Sequence, residues 1–111
     1  MTAAADALVK RIRPVLARKP EIAERKMFGG LAFVFNGNMA LFATSKGDML
    51  VRVDPAKEDA ALARSGASRA YMGEREMTGF INVAGSTTED LDELKSWIKY
   101  AIDYTRTLPA K

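Results

Sequence analysis

The sequence predicts an α+β protein in which a mostly antiparallel sheet carries helices on one face, giving two layers. Apolar residues repeat with helical spacing near both ends of the 111-residue chain. Between these segments, short apolar runs are separated by turn residues, as in antiparallel strands. The chain contains no repeat and no long linker, so we expect a single domain over residues 1–111.

The composition excludes several classes of enzyme. Hydrophobic residues make up 48% and charged residues 28% of the chain, which is typical of a folded domain. The chain has no Cys and no His, which rules out a thiol nucleophile, a Ser-His-Asp triad and a Cys or His zinc site. No stretch approaches the roughly 20 apolar residues of a membrane span, and the first residues lack a secretory signal. We therefore expect a cytoplasmic protein with no membrane partner.

The first element is predicted to be a helix. Its apolar stripe is formed by Leu8, Ile12, Val15 and Leu16. Pro14 cannot donate to the carbonyl of Lys10 and should kink this helix, and Pro20 should end it. We expect a short connection from Pro20 to Met27.

Three short apolar runs with the spacing of strands follow, at Leu31–Phe35, Met39–Ala43 and Met49–Val53. Asn36-Gly37 is a strong hairpin signal, because a type I′ turn needs positive φ at both central residues. A two-residue loop there places Phe33 opposite Ala40. The next turn places Phe42 opposite Val51, so a three-stranded meander is predicted.

This register assigns the strand residues to two faces of the sheet. The predicted core face carries Leu31, Phe33, Phe35, Ala40, Phe42, Val51 and Val53. The second face carries Ala32, Val34, Met39, Leu41, Ala43, Leu50 and Arg52. The second face is too apolar for free exposure, and such patches usually mark contacts.

We therefore expect a contact surface on the second face. Its candidate interface residues are Val34, Met39, Leu41, Leu50 and Arg52. A homodimer is the expected state, and a transcription regulator is a second candidate partner. The alternative is that a loop or a helix end covers this face within the monomer.

The second half of the chain alternates helices and strands. Asp54-Pro55 should begin a weakly apolar helix, and strands are predicted at Arg69–Met72 and Met77–Val83. Ser86 and Glu89 have the spacing of a capping box before a long final helix. The predicted order is therefore α-β-β-β-α-β-β-α.

The basic residues are concentrated near the amino terminus. The first 26 residues hold seven Lys or Arg against three acidic residues. Such an excess attracts nucleic acid in some proteins, although it is more often the solvated face of a helix. The candidate nucleic-acid contacts are Arg11, Arg18, Arg25 and Lys26.

Several motifs in order resemble one family. The run Arg25–Phe33, with its Met-Phe-Gly-Gly centre, precedes the hairpin segment Asn36–Ala40. The segments Gly47–Asp54 and Met77–Val83 and the Leu-x-x-Trp helix at Leu94–Ile98 follow. Together they resemble the amino-terminal domain of the TfoX (Sxy) proteins over nearly the whole chain.

The resemblance implies an α-β3-α-β2-α fold in two layers. It also implies a bacterial regulator of competence genes that assists a transcription activator. The two-domain regulators of that family continue into a separate carboxy-terminal domain, whereas this sequence ends shortly after Pro109. We therefore expect a stand-alone single-domain member. The family supplies no catalytic residue.

The residues predict a non-enzymatic protein with no cofactor and no metal. The run Met27–Gly30 lacks the pattern of a phosphate-binding loop. Its two glycines should serve close packing at the entry to the sheet, with Met27 and Phe28 buried. A protein–protein interaction or regulatory module is the predicted function. The alternative is a weak nucleic-acid-binding protein that uses the basic amino-terminal segment.

Overall fold

The amino-terminal apolar stripe forms helix α1 (Ala3–Leu16) in the computed structural model, which describes residues 1–111. The hydroxyl of Thr2 caps α1 by accepting from the N–H of Ala5 at 3.1 Å. The helix continues through Pro14 to Leu16, and the chain then turns towards the sheet. No helix is long and apolar enough to cross a membrane.

The sheet has six antiparallel strands in the order β1-β2-β3-β4-β6-β5. The strands are β1 (Ile22–Met27), β2 (Gly30–Phe35), β3 (Asn38–Ala43), β4 (Met49–Arg52), β5 (Ala67–Met72) and β6 (Arg75–Val83). Strand β1 lies where the sequence predicted a connection, so the first meander has four strands instead of three. β1 and β5 are the two edges of the sheet.

Three further helices complete the α+β fold. A 3-10 turn at Pro55–Lys57 leads into α2 (Glu58–Leu62), and the side chain of Asp54 caps the turn as predicted. A short helix α3 (Gly85–Thr88) precedes the long helix α4 (Leu91–Thr105). The predicted capping-box residues fall in and beside α3, and Asp90 caps α4 in their place.

The register of β3 differs from the prediction by one residue. The Asn36-Gly37 turn pairs Phe35 with Asn38 as expected, but a bulge then leaves Ala40 as the extra residue and pairs Phe33 with Leu41. A one-residue shift reverses the face on which each side chain lies. Because the turn alone determined the predicted register, the faces of the later β3 residues were wrong.

The bulge exchanges three side chains between the two faces. Leu41 and Ala43 point into the helix-facing core, where each is 0% exposed, and Phe42 lies on the opposite face. Strand β4 keeps its predicted orientation, with Val51 in the core opposite Leu41.

The main core lies between the helices and one face of the sheet. It contains 20 buried residues from α1, α2, α4 and the sheet, with Trp97, Phe33 and Ile12 among its largest fully buried side chains. At about 25 cal/mol per Å², burial of such large apolar side chains is the main stabilising contribution. The opposite face of the sheet holds a separate apolar cluster to which no helix contributes.

Candidate functional site

The turn between β1 and β2 holds an exposed aromatic residue in an unusual backbone conformation. Phe28 and Gly29 have φ values of 50° and 75°, and Met27 pairs with Gly30 on either side of them. Positive φ at both central residues is the pattern of a type I′ turn, which favours Asn-Gly. The chain uses Asn36-Gly37 with φ values of 51° and 81° for its other two-residue hairpin.

Phe28 therefore occupies a position where Asn would fit with less strain. An aromatic residue in the left-handed region is an outlier, and outliers of this kind concentrate at functional sites. Its side chain is 71% exposed, so burial in the core does not explain it. The expectation that Met27 and Phe28 are buried was wrong, because Met27 ends the exposed edge strand β1 and Phe28 lies in the turn that follows it.

Gly30 has a packing role at the start of β2. A Cβ atom on Gly30 would lie 2.0 Å from the carbonyl oxygen of Ala43 and 2.9 Å from the Phe42 ring. Only glycine lets β3 approach so closely at this point. The two glycines thus act as predicted, one in the turn and one in close packing.

The sheet face opposite the helices, which we call the concave face, carries a small apolar cluster. Its buried members are Ala32, Val34, Phe42, Leu50, Ala70 and Phe80, with Met39 and Met77 partly buried against them. These side chains come from five of the six strands, and the sheet buries them without a second layer of helices.

A cavity of about 360 Å³ opens on the concave face. Phe42 and Leu50 form part of its apolar wall, Phe28 reaches it from the β1–β2 turn, and Tyr71 reaches it from β5. Strands at opposite ends of the sheet thus line one cavity, so the sheet curves around this face. Tyr71 is 55% exposed, so two aromatic side chains at this cavity are accessible to solvent.

Basic side chains without acidic partners surround this apolar centre. Arg25 lies on the concave face because it pairs with Ala32, and Arg75 does so because it pairs with Met72, two residues from Met77. Lys46 lines the cavity from the turn between β3 and β4. None of these three cations forms an ion pair.

Of the acidic groups near the cavity, Glu76 has a cationic partner, whereas Asp48 is bound only by neutral donors and keeps its charge. Asp48 accepts from the N–H of Gly85 at 2.9 Å and from the side-chain amide of Asn82 at 3.4 Å. Glu76 is paired with Arg69 at 3.0 Å. Glu74, in the β5–β6 turn, is exposed and forms no ion pair. Even with Asp48 and Glu74 counted as charged, the cations on this face are more numerous than the unpaired carboxylates.

Arg52 is a fourth cation on the concave face, and it is partly buried. Its Nε donates to the carbonyl of Met39 at 2.6 Å, and its guanidinium lies 4.7 Å from the centre of the Phe80 ring. Burial lowers the pKa of Arg52 below its ordinary value, although an arginine stays charged at neutral pH. Arg52 adds positive potential beneath this surface without a carboxylate to balance it.

The structure brings together four of the five predicted interface residues. Val34, Met39, Leu50 and Arg52 lie on the concave face, whereas Leu41 lies in the helix-facing core because of the bulge. Val34 and Leu50 are already buried within the monomer. The accessible part of the surface is thus the rim around the cavity rather than the predicted centre.

The predicted nucleic-acid contacts do not form one surface. Arg11 is half-buried and donates to the hydroxyl of Thr88 at 3.1 Å, while Arg18 is exposed at the end of α1. Arg25 and Lys26 are consecutive in β1 and therefore point to opposite faces of the sheet. Arg13 in the same segment is neutralised by Glu24 at 2.9 Å.

Phe28 and Tyr71 were not among the predicted site residues. Strand β1, which positions Phe28, is an exposed edge strand rich in charged residues. Its sequence therefore lacks the alternation of apolar and polar residues that marks a strand. Phe-Gly is also a rare turn pair, so the hairpin had no clear signal. The paired glycines after Phe28 were the available signal, since they imply positive φ nearby.

Comparison with protein families identifies the class to which this fold and surface belong. The family model of the TfoX N-terminal domain matches residues 15–104 of the chain. The chain therefore belongs to the TfoX N-terminal domain family. No curated protein matches the sequence significantly.

Proposed function

We propose that this domain is a non-enzymatic regulatory module that docks another protein on its concave face. The proposal rests mainly on one observation, the cavity of about 360 Å³ with Phe28 and Tyr71 exposed at its opening. Protein interfaces are enriched in aromatic and Arg side chains and depend on a few anchors that fill pockets. Both features are present on this face.

Membership of the TfoX N-terminal domain family supports a regulatory setting. The proposed partner belongs to the transcription machinery of a bacterial cytoplasm, and competence genes are the proposed target. A homodimer of the chain stays a further prediction. Weak nucleic-acid binding remains the second candidate, and the exposed aromatic and basic side chains around the cavity favour testing it.

Photo-cross-linking with a matched control tests the docking surface. A photoreactive phenylalanine analogue is placed at Tyr71 or at Leu91, because both side chains are 55% exposed and Leu91 lies on α4 at the helical side. We expect a discrete protein adduct from position 71 and none from position 91. The captured protein is then purified and titrated against the unmodified domain.

The titration of the captured protein against the domain tests whether that protein docks on the concave face. Saturable binding of the purified protein, weakened by Phe28→Asn, supports docking on the concave face. Equal adducts from both positions, or no binding by the purified protein, would reject it. Adducts with nucleic acid in place of protein would favour the second candidate.

A further inference from the structure

We infer that the concave face recognises an acidic segment of a partner protein that carries an aromatic or aliphatic anchor residue. This inference rests on the proposed docking function and specifies the chemistry of the partner. It follows from three properties of the face: a cavity with one apolar wall, unpaired cations around it, and a strained aromatic residue at its opening.

The size and lining of the cavity determine the anchor. A volume of about 360 Å³ is near the lower end of the roughly 300–1,000 Å³ of ligand pockets. Phe42 and Leu50 provide an apolar wall, and the cavity is open to solvent. A large apolar side chain of a bound peptide fills such a space and displaces water from it.

The charges around the cavity determine the flanking residues. Arg25, Lys46 and Arg75 are exposed and lack acidic partners, and Arg52 lies beneath the same face. Carboxylates beside the anchor would meet these cations, which increases the association rate and selects the partner. Basic segments would be repelled by the same groups.

The same charges argue against a second copy of this chain on the concave face. A two-fold symmetric contact places the same patch on both sides of the interface. Arg25, Lys46 and Arg75 of one copy would then face the same cations of the other. The surface therefore favours a partner of opposite charge.

The third property is the aromatic side chain of Phe28, which the β1–β2 turn does not require for folding. The other two-residue turn of the chain uses Asn at the equivalent position, with almost the same φ. An exposed Phe at this turn position, where the other turn has Asn, adds backbone strain and exposes apolar surface. Contact with the partner's anchor explains why an aromatic side chain stands here.

A random peptide library displayed on phage tests this inference without a known partner. The immobilised domain is used for selection, and selected peptides are synthesised and titrated by fluorescence anisotropy. We expect peptides enriched in Asp and Glu around an aromatic or aliphatic residue. Their affinity should fall about tenfold in Lys46→Glu/Arg75→Glu, since two exposed charge pairs are reversed.

Matched variants separate the surface from the rest of the molecule. Phe28→Asn should weaken binding at least as much as the charge reversal while keeping the native circular dichroism spectrum. Leu91→Asn and Lys95→Glu remove an exposed apolar side chain and an exposed cation from the helical side, and should leave the affinity unchanged.

The outcomes distinguish this inference from the function on which it rests. Apolar or basic peptides that bind wild type and lose affinity in Phe28→Asn would overturn the acidic partner and keep the docking function. Selection of no peptide above the Phe28→Asn background would reject both. Concentration-dependent dimerisation that Phe28→Asn abolishes, or tighter binding of single-stranded DNA than of any selected peptide, would also overturn the inference.

Discussion

Two phenylalanine side chains show how the two faces of the sheet differ in packing. Phe33 and Phe42 are both buried, but Phe33 belongs to the helix-facing core and Phe42 to the concave face, where it lines an open cavity. The loss of a buried ring costs more where the surrounding atoms cannot rearrange to fill the space. The two residues therefore differ in their contribution to folding.

Phe33→Ala should reduce the free energy of unfolding by on the order of 3–5 kcal/mol, as full burial in a packed core requires. Phe42→Ala should cost less, about 2–3 kcal/mol, because no helix packs over its face of the sheet and the site is less tightly enclosed. Urea denaturation followed by circular dichroism measures both values. A larger loss for Phe42→Ala than for Phe33→Ala would contradict this assignment.

Phe28→Asn should make the domain more stable, although it removes an aromatic side chain. Asn adopts positive φ more readily than Phe, so the gain in the free energy of unfolding should be about 0.5–1 kcal/mol. Thermal unfolding detects the change, and Asn36→Phe provides the reciprocal test, with a loss of similar size. A destabilised Phe28→Asn variant would show that Phe28 contributes to the fold itself.

At the scale of elements, the β2–β3 hairpin is held at its turn by the carboxy-terminal segment. The side-chain amide of Asn38, which is 3% exposed, donates to the carbonyl of Pro109 at 2.9 Å. The N–H of Lys111 donates to the carbonyl of Asn36 at 2.8 Å. These bonds attach the segment after α4 to a turn that lies far from it in sequence.

Asn38→Ala should reduce the free energy of unfolding by about 1–1.5 kcal/mol, because it removes a short, part-buried hydrogen bond to the Pro109 carbonyl. Asn82→Ala serves as a comparison, since the bonds of Asn82 are longer at 3.4 and 3.5 Å, and its cost should stay below about 1 kcal/mol. Chemical denaturation measures both. Equal losses in the free energy of unfolding would mean that the hydrogen bond of Asn38 stabilises the fold no more than the longer bonds of Asn82.

The elements also show what the sequence could predict. Helical spacing located α1 and α4, and Asn36-Gly37 located the first predicted turn correctly, because these signals are local. Strand β1 was not predicted because its exposed residues show no alternation of apolar and polar side chains. The bulge at Ala40 was not predicted because it depends on how β3 packs against β4 and the helices, and not on the turn.

The candidate site was predicted only in part for the same reason. Met39, Leu50 and Arg52 were placed on the correct face by alternation alone. The cavity, however, requires the sheet to bring Phe28 and Tyr71 near each other from opposite ends of the strand order. No pattern within one segment carries that information.

At the scale of the whole molecule, the domain has one face covered by helices and one face open. The open face, the mild positive charge of +3 and the two sheet edges are the features available for association. The predicted self-association and the predicted weak nucleic-acid binding would both involve this whole surface, so both are tested on the intact chain.

The expected homodimer should give a mass of about twice 12.1 kDa in light scattering at micromolar concentration. If the dimer forms through a sheet edge, the cavity stays free and Phe28→Asn leaves the mass unchanged. The monomer mass at every accessible concentration would reject self-association. Raising the salt concentration serves as a control for non-specific charge effects.

The basic amino-terminal segment should bind nucleic acid weakly and only at low salt, because its predicted contact residues are distributed over several surfaces. A true site would lose about 0.9 log unit of affinity per contacted phosphate for each log unit of salt. Fluorescence anisotropy with duplex and single-stranded DNA at near-physiological salt measures this. Submicromolar affinity that disappears in Arg25→Gln/Lys26→Gln would contradict the expectation.

The bulge at Ala40 has a consequence for how the chain folds. The Asn36-Gly37 turn by itself would bring Phe33 opposite Ala40, but the finished sheet pairs Phe33 with Leu41. We therefore expect a nascent hairpin to favour the alignment set by the turn, and the later strands and helices to select the alignment of the finished sheet. Because Phe42 turns towards the cavity in the second alignment alone, we expect the proposed docking surface to form late in folding, so that a partner would recognise only the folded molecule.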